Sequence, residues 1–373
     1  MDSLTQACLG GTIGGIVLGR RLGRKSVIAG ALLATLPDLD SFIDYGNAVT
    51  NYTYHRSFSH SLLVLTVVAT LLAFALSRWR RTRKYASLRR WWWFCMLVLI
   101  THPLLDAFTT YGTQLLWPLT LPPIAWKTIF IIDPLYTLPL LIASIIFLIR
   151  GYAPRALKIG LGLSCAYLMF TVGAKAYVLE RVTTTLAQHH VPGHDLMIQP
   201  TPFNTLLWRV TMIEGKRQRE AFVSLFDAGI PPRFDTYTRH AELAAPALSF
   251  DAGQRLSWFA GPFLRYGIED NRLIVSDIRM GLPGAYSFSF AVAERDTHNQ
   301  WLQISAAQRP ASYPNAATLK LLMKRIIDPH ALCPGDISSA ALLIEPLSNS
   351  AAAKLPPCQT DDTHQFNASP HPS

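Results

Sequence analysis

The first 180 residues carry six apolar stretches, and clusters of Lys and Arg punctuate them. The stretches are Leu4–Leu18, Ser26–Leu36, Ser61–Leu76, Trp91–Leu105, Thr128–Ile149 and Leu157–Val178. Such a chain answers first to a bilayer. No water reaches the hydrocarbon to satisfy backbone polar groups, so spanning segments must be helices or closed barrels. Composition agrees: 50% of residues are hydrophobic and only 16% charged, against about 25% charged in a soluble domain. That excludes a disordered chain. The net charge of +10 could mark a nucleic-acid binder. The basic residues sit beside apolar runs, however, so no nucleic-acid partner is expected and the bilayer is.

A full span needs about 20 residues. Several stretches are shorter, which implies tilting or local thinning. Gly10/Gly14, Gly11/Gly15 and Gly15/Gly19 suit close helix packing. Cytoplasmic loops are rich in Lys and Arg, so the basic runs at 20–25, 78–90 and 150–158 are placed inside. Six passes then put both ends outside. The N-terminal MDSLTQACLGG has no basic region before its apolar stretch, so no cleavable signal peptide is expected. Everything after residue 180 becomes extracytoplasmic, which is periplasmic in a Gram-negative cell.

Beyond that point, LLWRVTMIE (206–214), EAFVSLFD (220–227), RLIVSDIRM (272–280) and YSFSFAVAER (286–295) alternate apolar and polar residues. That is the period of half-buried strands. The expected fold is an α-helical polytopic membrane domain over 1–180 and a linker over 181–195. A small β-rich extracytoplasmic domain over 196–305 and an irregular, partly disordered tail over 306–373 follow. Cys8, Cys95 and Cys165 lie in apolar segments and read as small hydrophobes. Cys333 and Cys358 could pair in an oxidising compartment.

The polar residues at segment ends carry the chemistry. PDLD supplies Asp38 and Asp40; HRSFSHS supplies His55, Arg56 and His60; THPLLDAFTTYGTQ supplies His102 and Asp106; IIDPLYT supplies Asp133. The orientation read from Lys and Arg alone puts all of them at the outer face. His102 and Asp106 are one helical turn apart. Imidazoles with carboxylates suit a divalent ion, zinc first and manganese second. Ionisable groups at membrane depth are costly unless paired or coordinated. The expected ligands are therefore Asp40, His55, His60, His102, Asp106 and Asp133. Asp38 is the expected general base and Arg56 the residue that steadies substrate charge.

Plainer readings stand beside these. Asp38 and Asp40 could end a helix, His55 and His60 could be interfacial histidines, and His102–Asp106 could be a structural pair. Asp133 before Pro134 could be an N-cap, and Arg56 could pair with an aspartate. The tryptophans at 91–93 read as an interfacial belt, and His189, His190 and His194 as linker.

MDSLTQ, PDLD, HRSFSHS, THPLLDAFTTYGTQ and IIDPLYT, in that order, resemble the YdjM-like family of inner-membrane, metal-dependent hydrolases. PTPFNTLLWRV (200–210) and SDIRMG (276–281) resemble its longer members, so the likeness spans about residues 1–295. It implies a multi-helix membrane part and a metal held by His and Asp. The matching positions are His55, His60, His102 and Asp106, with Asp38, Asp40 and Asp133. Many members begin MDxLTH, where this chain has Gln6. The expected function is a metal-dependent hydrolase at the periplasmic face. It would use an activated water on a lipid or phosphoester substrate. The alternatives are a non-enzymatic transporter or an envelope scaffold with a structural metal.

Overall fold

A computed structural model describes residues 1–191, 194–311, 315–340 and 358. The N-terminal region is a helical bundle built from hairpins. Helix α1 (Ser3–Leu22) turns through Gly23 into α2 (Arg24–Ala34). Gly23 has φ +53°, a left-handed value that favours glycine. The two helices approach closely, because a methyl group on Gly30 would strike the Gly10 carbonyl. A 3-10 turn (Pro37–Phe42) holds PDLD, and α3 (Ala48–Tyr54) follows with a capping box on Asn47. Another 3-10 turn (Phe58–His60) leads to α4 (Leu62–Arg78), capped by Ser61. Then come α5 (Leu88–Ala107), α6 (Pro134–Arg150) and α7 (Pro154–Gln188). The pairs α1/α2, α4/α5 and α6/α7 each turn at a basic run. Arg24 donates to the Leu148 and Ile149 carbonyls, tying the first basic turn to the third.

The span count differs from the six expected. Among the described residues, α7 is the one unbroken helix long and apolar enough to cross a bilayer. Residues 48–60 and α4 pass the same test together, but bent by 49°. Helix α2 has 11 residues, about 16 Å at 1.5 Å per residue, roughly half of a 30 Å hydrocarbon core. Helix α6 is apolar with 17 residues. Helices α1 and α5 are 20 residues long but carry arginines and buried polar groups.

Helix α7 has 35 residues, about 52 Å at the usual rise. Its first part packs along α6, and its last turns leave the bundle. Residues 181–188, expected as linker, continue this helix. There Ala174, Val178, Val182 and Leu186 form one face that carries the β-domain.

That domain has two antiparallel four-stranded sheets. The first is β1 (Asp195–Pro200), β2 (Leu207–Glu214), β3 (Arg217–Ser224) and β4 (Asp235–Thr238), in that order. It lies on α7 through Ile198, Trp208, Val210 and Met212. Strands β2 and β3 are buried on both faces. Arg209 and Glu220 there form a closed ion pair, with Nε–Oε2 at 2.9 Å and Nη2–Oε1 at 2.7 Å. The second sheet has β5 (Leu264–Glu269), β6 (Arg272–Asp277), β9 (Ser289–Arg295) and β10 (Trp301–Gln308), in the order β10-β9-β6-β5. The short strands β7 (Gly281–Leu282) and β8 (Ala285–Tyr286) make a hairpin. Helices α8 (Ala244–Leu248) and α9 (Asp251–Ala260) precede β5.

The second sheet grips the helical region. Val49 and Tyr52 of α3 and Tyr111 share a core with Leu256, Phe259, Leu273 and Phe290. Tyr52 Oη donates to Asp277 (3.0 Å), and Arg255 Nε donates to Thr53 Oγ1 (2.9 Å). The tail contains α10 (Ala316–Arg325) and α11 (Pro334–Ala340). Cys333 and Cys358 are disulfide-linked, with Cα atoms 5.8 Å apart. Most of the stretch expected to be disordered, from about 345, lies outside the described residues.

Candidate metal centre

Three elements deliver four polar groups to the same point. The turn after α2 brings Asp38, the turn before α4 brings His60, and the last turns of α5 bring His102 and Asp106. Asp38 Oδ1 lies 3.5 Å from His60 Nε2 and 3.3 Å from His102 Nε2. Asp106 Oδ2 lies 3.2 Å from His60 Nε2 and 3.6 Å from His102 Nε2. One ligand atom from each residue lies within 4.8 Å of every other.

These atoms are not satisfied by one another. His60 Nε2, His102 Nε2 and Asp106 Oδ2 are buried with no hydrogen-bond partner. Leaving such groups unpaired costs about 1–3 kcal/mol each, and three at one point call for a ligand.

The outer hydrogen bonds fix each ring. His102 Nδ1 lies 2.6 Å from the Ala34 carbonyl. That acceptor requires an Nδ1–H and leaves the Nε2 lone pair facing the centre. His60 Nδ1 lies 2.9 Å from Ser59 Oγ, whose own proton goes to Asp40 Oδ2 at 2.6 Å. The second Nε2 lone pair therefore also faces inward. Metal-bound histidines are held by this kind of outer partner. Asp106 Oδ1 accepts from Gln6 Nε2 at 3.0 Å and from the Met1 amino group, leaving Oδ2 for the centre. Two nitrogens and two carboxylate oxygens with these supports fit a divalent cation.

Arg56 occupies a strained position, φ +63°. Its Nε is 3.2 Å from Asp106 Oδ2, and Nη1 donates to Thr109 Oγ1 at 3.4 Å. Its backbone N–H donates to Asp40 Oδ2 at 2.9 Å, and its guanidinium lies 5.1 Å from the Tyr111 ring centre. The positive φ is thus held by the Asp40 carboxylate on one side and the Gln114 N–H on the other. Burial opposes the charge on Asp38, but His102 and His60 outweigh it and hold the carboxyl below its usual range. Asp40 is lowered in the same way, against burial, by His55 and Ser59. Burial pushes the Tyr111 hydroxyl up, so it stays a neutral donor to the Tyr52 carbonyl.

The structure brings Asp38, His60, His102 and Asp106 together. Asp38, expected as a general base, stands within the ligand-competent cluster. Asp40, His55 and Asp133, expected as ligands, stand outside it. Both Asp40 oxygens are engaged by His55 Nδ1 (2.9 Å), Arg56 N–H and Ser59. Asp133 caps α6: Oδ1 accepts from Leu135 N–H at 3.0 Å, and Oδ2 from Tyr167 Oη at 2.8 Å. Arg56, expected at the substrate, is paired with Asp106. Sequence reasoning missed the bridging role of Ser59, although its place beside His60 was a usable signal. Gln6 acts as a donor to Asp106.

Residues 1–178 match the family model described as "YdjM inner membrane protein". The N-terminal region is YdjM-like. The four converging residues all lie inside this YdjM-like region. The chain is 40% identical to "Inner membrane protein YbcI" of Escherichia coli (strain K12) over 114 residues, 30% of this chain and 61% of that one. It is 28% identical to "Uncharacterized protein YfhP" of Bacillus subtilis (strain 168) over 141 residues, 36% of this chain and 42% of that one. The chain thus spans about three fifths of the first and two fifths of the second. No solved structure matches.

Proposed function

We propose that this protein is an inner-membrane, metal-dependent hydrolase whose centre faces the periplasm. Its substrate is a lipid or another envelope molecule with an ester or phosphoester bond. The observation that carries the reading is the convergence of three buried, unpartnered ligand atoms with Asp38. The names of the matching family and of the Escherichia coli relative support the inner-membrane location. The basic turns at Arg20–Lys25, Arg78–Lys84 and Arg150–Lys158 support the orientation. They close the hairpins at the ends away from the four residues, and positive loops stay inside.

Asp38, His60, His102 and Asp106 would hold the ion, and zinc suits the two imidazoles best. A divalent ion bound there supplies Lewis acidity and a water of lowered pKa. The chain's own groups then set the stage. Asp38 is the one cluster side chain with solvent exposure, at 21%, so substrate approaches past it. Arg56, buried and paired with Asp106 Oδ2, holds that carboxylate in place beside the centre.

The test uses the full chain in detergent, loaded with zinc or manganese or stripped by chelation. A panel of lipid esters and phosphoesters should be hydrolysed only by loaded protein, and Asp38→Asn should abolish turnover. Full metal occupancy with no hydrolysis across the panel would remove the hydrolase reading. A C-terminal reporter that works only in the periplasm should be active. Activity from a cytoplasmic reporter alone would reverse the orientation.

A further inference from the structure

The two strings set apart in the second half of the sequence, 200–210 and 276–281, meet at a cavity of about 380 Å³ between the β-domain and the helical region. That size is within the range of small-molecule sites, about 300–1,000 Å³. Phe130, Ile132, Phe203, Met280 and Leu282 make its wall largely apolar. Its two arginines are already neutralised. Arg209 is bound to Glu220, and Arg279 Nε lies 2.9 and 3.0 Å from the two Asp277 oxygens. The wall therefore offers no free cation for a phosphate. It offers one unmet acceptor: Gln199 is 5% exposed, its Nε2 donates to the Arg279 carbonyl, and its Oε1 has no partner.

The cavity borders both the centre and an apolar surface. Thr109 and Tyr111 line it, and both also touch Arg56, which pairs with Asp106. On another side, Ile132 is in the wall and itself exposed. From there Leu135, Leu138, Ile142, Ile145 and Ile149 continue as one exposed apolar stripe along α6. Their spacing of three and four residues keeps them on a single face.

We propose, resting on the hydrolase reading above, that this cavity binds the hydrocarbon arm of the substrate. The occupant is a long-chain lipid carrying an O–H or N–H donor at the head of its chain. The chain enters along α6, the donor meets Gln199 Oε1, and the remaining head group is directed past Thr109 toward the metal centre. An apolar stripe leading into an uncharged cavity selects a lipid over a soluble phosphate.

The experiment uses full-length protein in detergent with a photoactivatable hexadecanol, diazirine within a few carbons of its oxygen, and the matching methyl ether, which has no donor. Neither is hydrolysable. Labelled peptides should contain Phe203 and Met280, and the alcohol should label about fivefold more than the ether, the usual worth of one hydrogen bond. Gln199→Met should erase that preference. Competition by unlabelled hexadecanol gives the same reading if that variant fails to fold. Label confined to the outer faces of α6 and α7, equal for alcohol and ether, would overturn the proposal. Metal content is measured on the same samples. Normal metal without cavity label refutes only the lipid site, whereas cavity label in protein that binds no metal refutes the hydrolase reading and leaves the site.

Discussion

His60 Nε2 and Asp106 Oδ2 face each other across 3.2 Å, fully buried, and neither has a hydrogen-bond partner. They come from the two arms of the α4/α5 hairpin at its open end, 46 positions apart in sequence. A direct bond would have satisfied both atoms. The fold instead spends the outer atoms of both residues on supports, Ser59 for the ring and Gln6 for the carboxylate.

Ser59 makes the first prediction. Its hydroxyl links Asp40 to His60 Nδ1, so Ser59→Ala frees the His60 ring to rotate and exchange tautomers. Loss of an outer partner costs about 10–100-fold in metal affinity. Zinc competition against a chelator should show that loss with stoichiometry restored at high zinc. Unchanged affinity would mean that the bridge does not orient the ring.

Asp133 behaves differently. It caps α6 and accepts from Tyr167, and it is not one of the four converging residues. Asp133→Ala should lower stability by about 1 kcal/mol, within the usual 0.5–2 for an N-cap, and leave metal content unchanged. Thermal unfolding and elemental analysis of the same preparation check both halves.

Asp235 in β4 gives a pH dependence. Burial pushes its carboxyl up to about 7, the nearby Asp336 adds to this, and the Gly335 N–H opposes it. The folded chain then holds this proton more tightly than the unfolded chain, where an Asp titrates near 4. The stability it contributes is complete below about pH 4 and is lost as pH rises through about 7. The melting temperature of the full chain should fall between about pH 5 and about pH 8. Asp235→Asn should flatten that part of the profile and raise the value at the alkaline end. An unchanged slope would exclude Asp235 as its source.

Much of this was legible because charge and hydropathy act over whole segments. The basic runs set one end of each hairpin, and that alone gathered Asp38, His60, His102 and Asp106 at the other. The finer assignment of Asp133 and Asp40 was not legible. A carboxylate beside a helix start has the same sequence signature whether it caps backbone N–H groups or binds an ion. Span number failed for a related reason. Window apolarity does not reveal that α2 is only about three turns or that α7 runs on to carry a sheet. Strands β2, β3, β6 and β9 were visible as alternating runs. The edge strands β1, β4, β5 and β10 were not picked out, nor was the insertion of α3 into the β-domain core, which depends on Tyr52 meeting partners more than 200 residues away. Gln199, the acceptor in the cavity wall, had no local signal at all.

The central claim is that four side chains hold one ion. The direct measurement is metal stoichiometry by elemental analysis of purified wild type, His60→Ala, Asp106→Ala and Asp133→Ala, prepared identically. The account predicts about one ion per chain in wild type and Asp133→Ala. It predicts far less in His60→Ala and Asp106→Ala, with all four proteins still extracted from the membrane fraction. Wild-type stoichiometry in both His60→Ala and Asp106→Ala would contradict it and leave the cluster as a structural knot of polar groups.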